Sequence, residues 1–290
     1  LIYMRKNEIL LLGGYGYFEC WLALILGKFK GLILVAWLGA SKSTTINSNF
    51  FYILLKKLFI SKLNSIVTYG KSSTKYYISL GYPEKRIFTG FNSSDTLFFK
   101  YSNNDKLLIE TDSKKIKCIW AGQLIPRKGI LELLNELISD TKLLSKIDLN
   151  ICGSGPLESE IIKKIAKFDN LKFHGPLNKF ILKKLFHEAS FFFHSTLHDP
   201  FSRIISEASS SGLFIISSKF DDSIEVLNEG INFVKYNPHK TGAFKKAFFK
   251  SIRICKENSY TKMRISQMCP FSAENYSKAI FKAIINSKLK

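Results

Sequence analysis

Between residues 117 and 234 short apolar runs alternate with helical stretches, and few architectures accept that pattern. Lys117–Trp120, Asp148–Cys152, Leu171–His174, Phe191–His194, Leu213–Ser217 and Asn232–Val234 read as strands. Ile130–Leu137, Leu157–Lys167, Phe180–Glu188, Ser202–Ser210 and Ser223–Leu227 read as the helices between them. A run such as Phe191-Phe192-Phe193 is apolar at every position, which suits a strand covered on both faces. Strand and helix in strict alternation imply a doubly wound parallel sheet. Ligands of such sheets bind beyond the carboxyl ends of the strands, so the strand-to-helix loops are where chemistry is to be sought.

The same alternation starts earlier in the chain. Ile9–Leu12, Leu32–Trp37, Ser65–Thr68 and Arg86–Phe88 read as strands, and Phe18–Phe29, Asn49–Ser61 and Ser73–Leu80 as helices. The last of these helices stops at Gly81, with Pro83 just beyond. Residues 9–26 are apolar enough to raise a membrane span, but Gly13-Gly14-Tyr15-Gly16 interrupts them and Glu19 stands in their middle. A strand, a glycine turn and a helix fit better. Residues 101–115 are polar and irregular and read as a domain boundary. Beyond Asn237-Pro238, Thr241–Lys256 is a basic amphipathic helix, and Ser272 with Glu274 can cap a final one.

Composition is consistent with two domains: 290 residues, 46% hydrophobic and 23% charged. The formal charge of +20 favours polyanionic partners, although a Lys-, Ile- and Asn-rich sequence is also what AT-rich coding produces. Five cysteines without a Cys-x-x-Cys pair read as free thiols in a reducing cytoplasm. His194, His198 and Asp199 fall in a strand and loop, where their spacing is a poor match to a metal site. The helix at 241–256 reads either as a membrane-surface helix or as a cover for its own domain.

Three strand-to-helix loops carry the functional residues. Gly122-Gln123-Leu124-Ile125-Pro126-Arg127-Lys128-Gly129 holds two adjacent cations, which suit a diphosphate. Gly153-Ser154-Gly155-Pro156 permits close backbone approach, to a ligand or simply within a tight turn. In His198-Asp199-Pro200-Phe201-Ser202-Arg203, Pro200 opens a helix whose first N–H groups attract anions. Asp199 precedes that helix start and Glu207 follows it, eight residues later. Acceptors flanking an anion site suit a ligand that joins phosphate to sugar hydroxyls.

Taken together, Gly122-Gln123-Leu124, Lys128-Gly129, Gly153-Ser154-Gly155-Pro156, Phe173-His174-Gly175, His194-Ser195, Asp199 to Glu207-Ala208 and Gly212-Leu213 follow one known order. Residues 118–237 resemble the donor-binding domain of retaining GT-B glycosyltransferases of family 4, the glycosyl transferases group 1. The resemblance implies a GT-B type α/β fold of two Rossmann-like doubly wound domains, the first one incomplete. It implies a partial acceptor-side domain over 1–102, a nucleotide-sugar domain over 115–268, and a helix over 271–290 crossing back to the first domain. About three βα units that open the family's first domain have no counterpart here, so the chain reads as a fragment.

The resemblance also implies roles. Lys128 would neutralise the diphosphate, Glu207 would bind the ribose, and Asp199 the transferred sugar, where Glu is more usual. Backbone N–H groups of Phe201, Ser202 and Arg203 would hold the distal phosphate, and Gly175 to Leu177 the base edge. Gly122, Gln123, Gly153 and Gly155 would line the donor site. Gln123 replaces a family Arg, a loss that Arg127 or Arg203 would make good, and Ser202 replaces a common Gly. The expected reaction is retaining transfer from a nucleotide diphosphate sugar to a glycan or lipid-linked acceptor in surface polysaccharide or lipopolysaccharide assembly. Neither cofactor nor metal is expected, nor a nucleic-acid partner. Peripheral contact with the inner, anionic membrane face is compatible with the charge. A GT-B epimerase and a non-catalytic donor-binding module are the alternatives.

Overall fold

The computed structural model describes residues 3–42, 45, 49–92, 94–103, 106–109 and 115–288. It divides into two compact units, residues 1–92 with 273–290, and residues 93–272.

The first unit opens with β1 (Ile9–Leu12), α1 (Phe18–Phe29), β2 (Ile33–Leu38), α2 (Phe50–Ser61), β3 (Ser65–Tyr69), α3 (Gly70–Ser79) and β4 (Ile87–Gly90). The strands pair in parallel in the order β1-β2-β3-β4. β2 is buried along its whole length, as its uninterrupted apolar run requires. The apolar run at 9–26 is therefore strand, turn and helix. Among the described residues no helix is long and apolar enough to cross a membrane.

The second unit holds α4 (Thr96–Phe99), β5 (Ile116–Ala121), α5 (Ile130–Ser139), α6 (Thr141–Leu144), β6 (Ile147–Cys152), α7 (Glu158–Ile165), β7 (Leu171–Gly175) and α8 (Lys179–Glu188). β8 (Phe191–His194), α9 (Arg203–Ser210), β9 (Phe214–Ser218), β10 (Phe233–Tyr236), α10 (Ala243–Glu257) and α11 (Lys262–Gln267) complete it. Its six parallel strands run in the order β10-β9-β8-β5-β6-β7. The order reverses between β5 and β8, which opens a crevice at their carboxyl ends. Phe191 and Phe193 of β8 pack on Phe248 of α10, while Phe192 meets Phe186 of α8 on the opposite face. That two-sided cover explains why β8 is apolar throughout.

The last helix, α12 (Ala273–Lys288), lies on the sheet of the first unit, where Ala279 and Ala283 join Val35 and Val67 in a small core. The sequence reading ends the first domain at 102, whereas residues 94–101 lie with the second unit. There Tyr101 N donates to Ser210 O at 3.0 Å and Ser210 Oγ to Thr96 O at 2.5 Å. The short helices α4, α6 and α11 and a 3-10 turn at Asp222–Val226, read from sequence as a short helix, are the other departures. Each is six residues or fewer, too short to show a helical period. The basic helix α10 buries Phe244, Ala247, Phe248, Ser251, Ile254 and Cys255 within its own unit. Its apolar side is therefore a core face.

Candidate functional site

The carboxyl-end loops of the second sheet are bound to one another through backbone. Gly122 N donates to Cys152 O (3.1 Å), Leu124 N to Ser154 O (2.9 Å) and Gly153 N to Gly175 O (2.8 Å). The glycines exist for this contact. Gly153 has φ +140, and a Cβ there would lie 1.8 Å from Gly122 O. Gly155, at φ +156, would meet the Leu124 backbone at 2.5 Å. Close approach at Gly-x-Gly is thus approach of one loop to another, which answers the alternative left open by the sequence. Gly175 is at φ +66 with open space around it.

Beside these loops lies a cleft of about 240 Å³. Gly122, Gln123, Gly153, Ser154 and Leu177 line it, with Ile204 from α9 closing one side. Among the described residues no lysine, arginine or carboxylate reaches its wall. A neutral, backbone-rich cleft of this kind suits the flat face and polar edge of a small aromatic ring.

The charged part of the site is assembled by the loop after β8. Trp120 Nε1 donates to Ser195 Oγ (3.0 Å), which in turn donates to Lys128 O (2.9 Å). Leu197 N and Thr196 Oγ1 both donate to Arg127 O, at 2.8 and 3.1 Å. Gly129, at φ +63, lets the cation loop pass Ser195, where a Cβ would lie 2.1 Å from the Ser195 carbonyl oxygen. Held this way, Arg127 and Lys128 both reach Asp199 Oδ2, at 2.9 and 2.6 Å. Lys128 Nζ also stands 3.5 Å from Ser202 Oγ, at the head of α9.

Asp199 is buried and its second oxygen, Oδ1, accepts from Phe201 N at 3.1 Å. Burial works to raise its pKa, but Lys128, then His194 and Arg127, outweigh it and hold the carboxyl at about 2. Oδ2 is filled by two cations, so Oδ1 keeps one lone pair for a ligand hydroxyl. The N–H of Phe201, expected to face phosphate, is engaged by Asp199 instead. Ser202 and Arg203 remain to head the helix.

Glu207 falls in α9 about one turn from its start, because the helix begins at Arg203. Its carboxyl is pushed up to about 7 by burial and by Asp95, against the lowering effects of Arg203 and Ser94. Ser94 is itself held by Ser206 Oγ at 2.7 Å. Sequence reasoning missed this partner, which lies 113 residues from Glu207 and carries no local signal.

A second buried pair was also missed. His194 Nε2 lies 2.7 Å from Asp221 Oδ2, and Asp221 Oδ1 accepts from Ser223 N (2.7 Å) and Ser223 Oγ. His194 is therefore committed behind Asp199, while His198 is exposed. The Asp-x-Ser cap at 221–223 was readable as a turn but not as a partner for His194. Among the described residues no group of three or more His, Cys, Asp or Glu side chains could hold a metal ion.

Two parallel, helix-flanked sheets with a cationic cluster at the switch point of the second define a protein of the GT-B class. Solved structures share that fold. Anabaena HepE in complex with UDP and glucose is 14% identical, with 97% of this chain aligned to 76% of that one at a TM-score of 0.70. The lipopolysaccharide outer core galactosyltransferase WaaB is 15% identical over 96% and 75% of the two chains, at 0.73. The pneumococcal O-GlcNAc transferase GtfA, in complex with UDP and GlcNAc, is 17% identical over 98% and 58%, at 0.71. No curated protein sequence matches the chain. Residues 115–253, nearly all of the second sheet and its helices, match the family model of glycosyl transferases group 1. The likeness to that family therefore lies in the second unit, and the fold of both units is the one these solved structures share.

Proposed function

We propose that the chain takes part in retaining transfer of a sugar from a nucleotide diphosphate sugar to an acceptor hydroxyl. The observation that carries this reading is the cation pair Arg127–Lys128, fixed beside the start of α9 and next to a neutral cleft. The cleft would take the base at Gly122, Gln123, Gly153 and Leu177. Glu207 would accept from the ribose hydroxyls. Lys128 and the N–H groups of Ser202 and Arg203 would hold the diphosphate, where preorganised charge stabilises the leaving group. Asp199 would position the two cations and accept one sugar hydroxyl on Oδ1.

In the reaction the acceptor oxygen bonds to the anomeric carbon as the bond from that carbon to the diphosphate breaks. The acceptor proton passes to a phosphate oxygen, so no protein nucleophile is required. Neutralisation by Lys128 and the helix start serves the role a metal plays elsewhere. The UDP ligands of HepE and GtfA support a uridine donor, and the lipopolysaccharide outer core galactosyltransferase WaaB supports an acceptor in lipopolysaccharide or surface polysaccharide. Peripheral membrane contact would suit such an acceptor.

Calorimetry with UDP-sugars, followed by turnover with added acceptor, tests the reading. Glu207→Gln is expected to weaken UDP binding by about 1.5–3 kcal/mol, the range for a hydrogen bond to a charged group. Ribose hydroxyls favour the ionised carboxylate, so affinity should rise with pH across the region of about 7 and level off above it. The Gln variant should show no such rise. Equal affinity of wild type and variant, or epimerised donor without acceptor, would overturn the assignment.

A further inference from the structure

In the first unit, α1 and α2 carry apolar residues on the side turned away from the sheet. On α1, Phe18, Leu22, Ile25 and Phe29 are exposed, the two phenylalanines by 77% and 86%. On α2, Phe50, Phe51, Leu54 and Leu58 are exposed, Phe50 by 80%. Positions 18, 22, 25 and 29, and 51, 54 and 58, each form one stripe along a helix. The inner faces are already committed: Trp21 meets Phe59 at 5.0 Å, and Leu24, Gly27 and Ile60 are buried. The same contact makes the two helices neighbours. Apolar surface gathered on adjacent helices marks an interaction site.

Charge identifies the partner. At the ends of the same helices stand Lys28, Lys30 and Lys62, all exposed, with Arg86 half-buried close by. Partial desolvation lowers the pKa of Lys28, and the charges of Lys62 and Arg86 lower it further, so these three cations form one group. An apolar stripe alone fits lipid or protein. Beside a group of cations it fits a surface that is anionic outside and apolar beneath. Each helix has 12 residues, against about 20 needed to span a bilayer, so it can lie on a membrane and not through it.

We propose that the outer face of α1 and α2 seats the protein on an anionic lipid bilayer. Phe18, Leu22, Ile25, Phe29, Leu54 and Leu58 enter the boundary of headgroups and acyl chains, and Lys28 and Lys62 meet the lipid charge. The proposal deepens the peripheral contact suggested above and assigns it to the first unit, not to α10. It does not depend on the sugar-transfer reading.

Co-sedimentation of the full chain with vesicles tests it, one set of phosphatidylglycerol mixed with phosphatidylcholine, the other of phosphatidylcholine alone. The wild type is expected to bind the anionic vesicles at least about tenfold more tightly. Lys28→Gln with Lys62→Gln should lose roughly fivefold per charge removed. Leu22→Ser, Phe29→Ser and Leu58→Ser together should reduce binding on the order of tenfold or more, with an unchanged melting curve as the check on folding. Phe249→Ser on α10 should change nothing. The idea fails if anionic vesicles are not bound, if both vesicle types bind alike, or if the Phe249 variant releases the protein. It also fails if the triple variant keeps its binding. A concentration-dependent dimer abolished by the triple variant would give the face to a second copy. UDP calorimetry on the same proteins reads the donor site separately.

Discussion

The loops of the six-stranded sheet and the outer faces of α1 and α2 follow opposite rules. In the loops the protein supplies its own partners: glycines admit a neighbouring backbone, and two cations share one carboxylate oxygen. On α1 and α2, large apolar side chains face outward and touch little of their own unit. Polar satisfaction inside a structure makes a site rigid before any ligand arrives. Apolar exposure leaves interaction energy for a later partner. The comparison can be broken in the loops, where substitution should be costly, and on the helices, where it should not.

The largest effect is expected at Gly153→Ala. A Cβ 1.8 Å from Gly122 O forces two loops apart at a backbone angle that alanine avoids. A loss of about 4 kcal/mol or more in denaturant unfolding is expected, since strain and clash add. Gly175→Ala is the control. It shares a positive φ but meets nothing, and should lose about 1 kcal/mol. Similar losses at both positions would mean that backbone angle alone, and not the joining of loops, sets the requirement for glycine.

Asp199→Asn comes next, at about 2–3 kcal/mol. That lies below the range for a fully buried pair because Arg127 keeps 33% of its side chain exposed. The wild type should carry a pH signature of the same contact. The folded pKa of about 2 is below the usual carboxylate value, so the unfolded chain binds more protons in acid. The contribution, about 2 kcal/mol, is complete above pH 4 and is lost as pH falls toward about 2. Stability of the Asn variant should lack that acid limb. If both proteins lose stability in parallel, the cations are not held by Asp199.

What could be read from sequence divides along the same line. β8 and the cation loop were legible because a buried parallel strand and a positive-φ glycine each demand particular residue types. Asp199, Lys128 and Arg127 were legible as residues of strand-to-helix loops at one edge of the sheet, but not as an ion-paired cluster, since pairing across 71 or 72 residues has no local pattern. The His194–Asp221 and Glu207–Ser94 partnerships escaped for the same reason. On α1 the difficulty was different. With Glu19 and Lys28 as its charged residues, the helix has no continuous polar face to mark its outside, so the sequence could not distinguish core from surface.

The outer face of α1 should tolerate substitution with the smallest effect of all. If Phe29 points away from the first unit's core, as its 86% exposure indicates, Phe29→Ser should change unfolding stability by no more than about 0.5 kcal/mol. Helix propensity differs little between the two residues, and no cavity forms where nothing is packed. Thermal unfolding of the variant at several protein concentrations measures this directly. A loss of about 2 kcal/mol would place Phe29 in a packed environment, and the contrast between sealed loops and open helices would then not hold at α1.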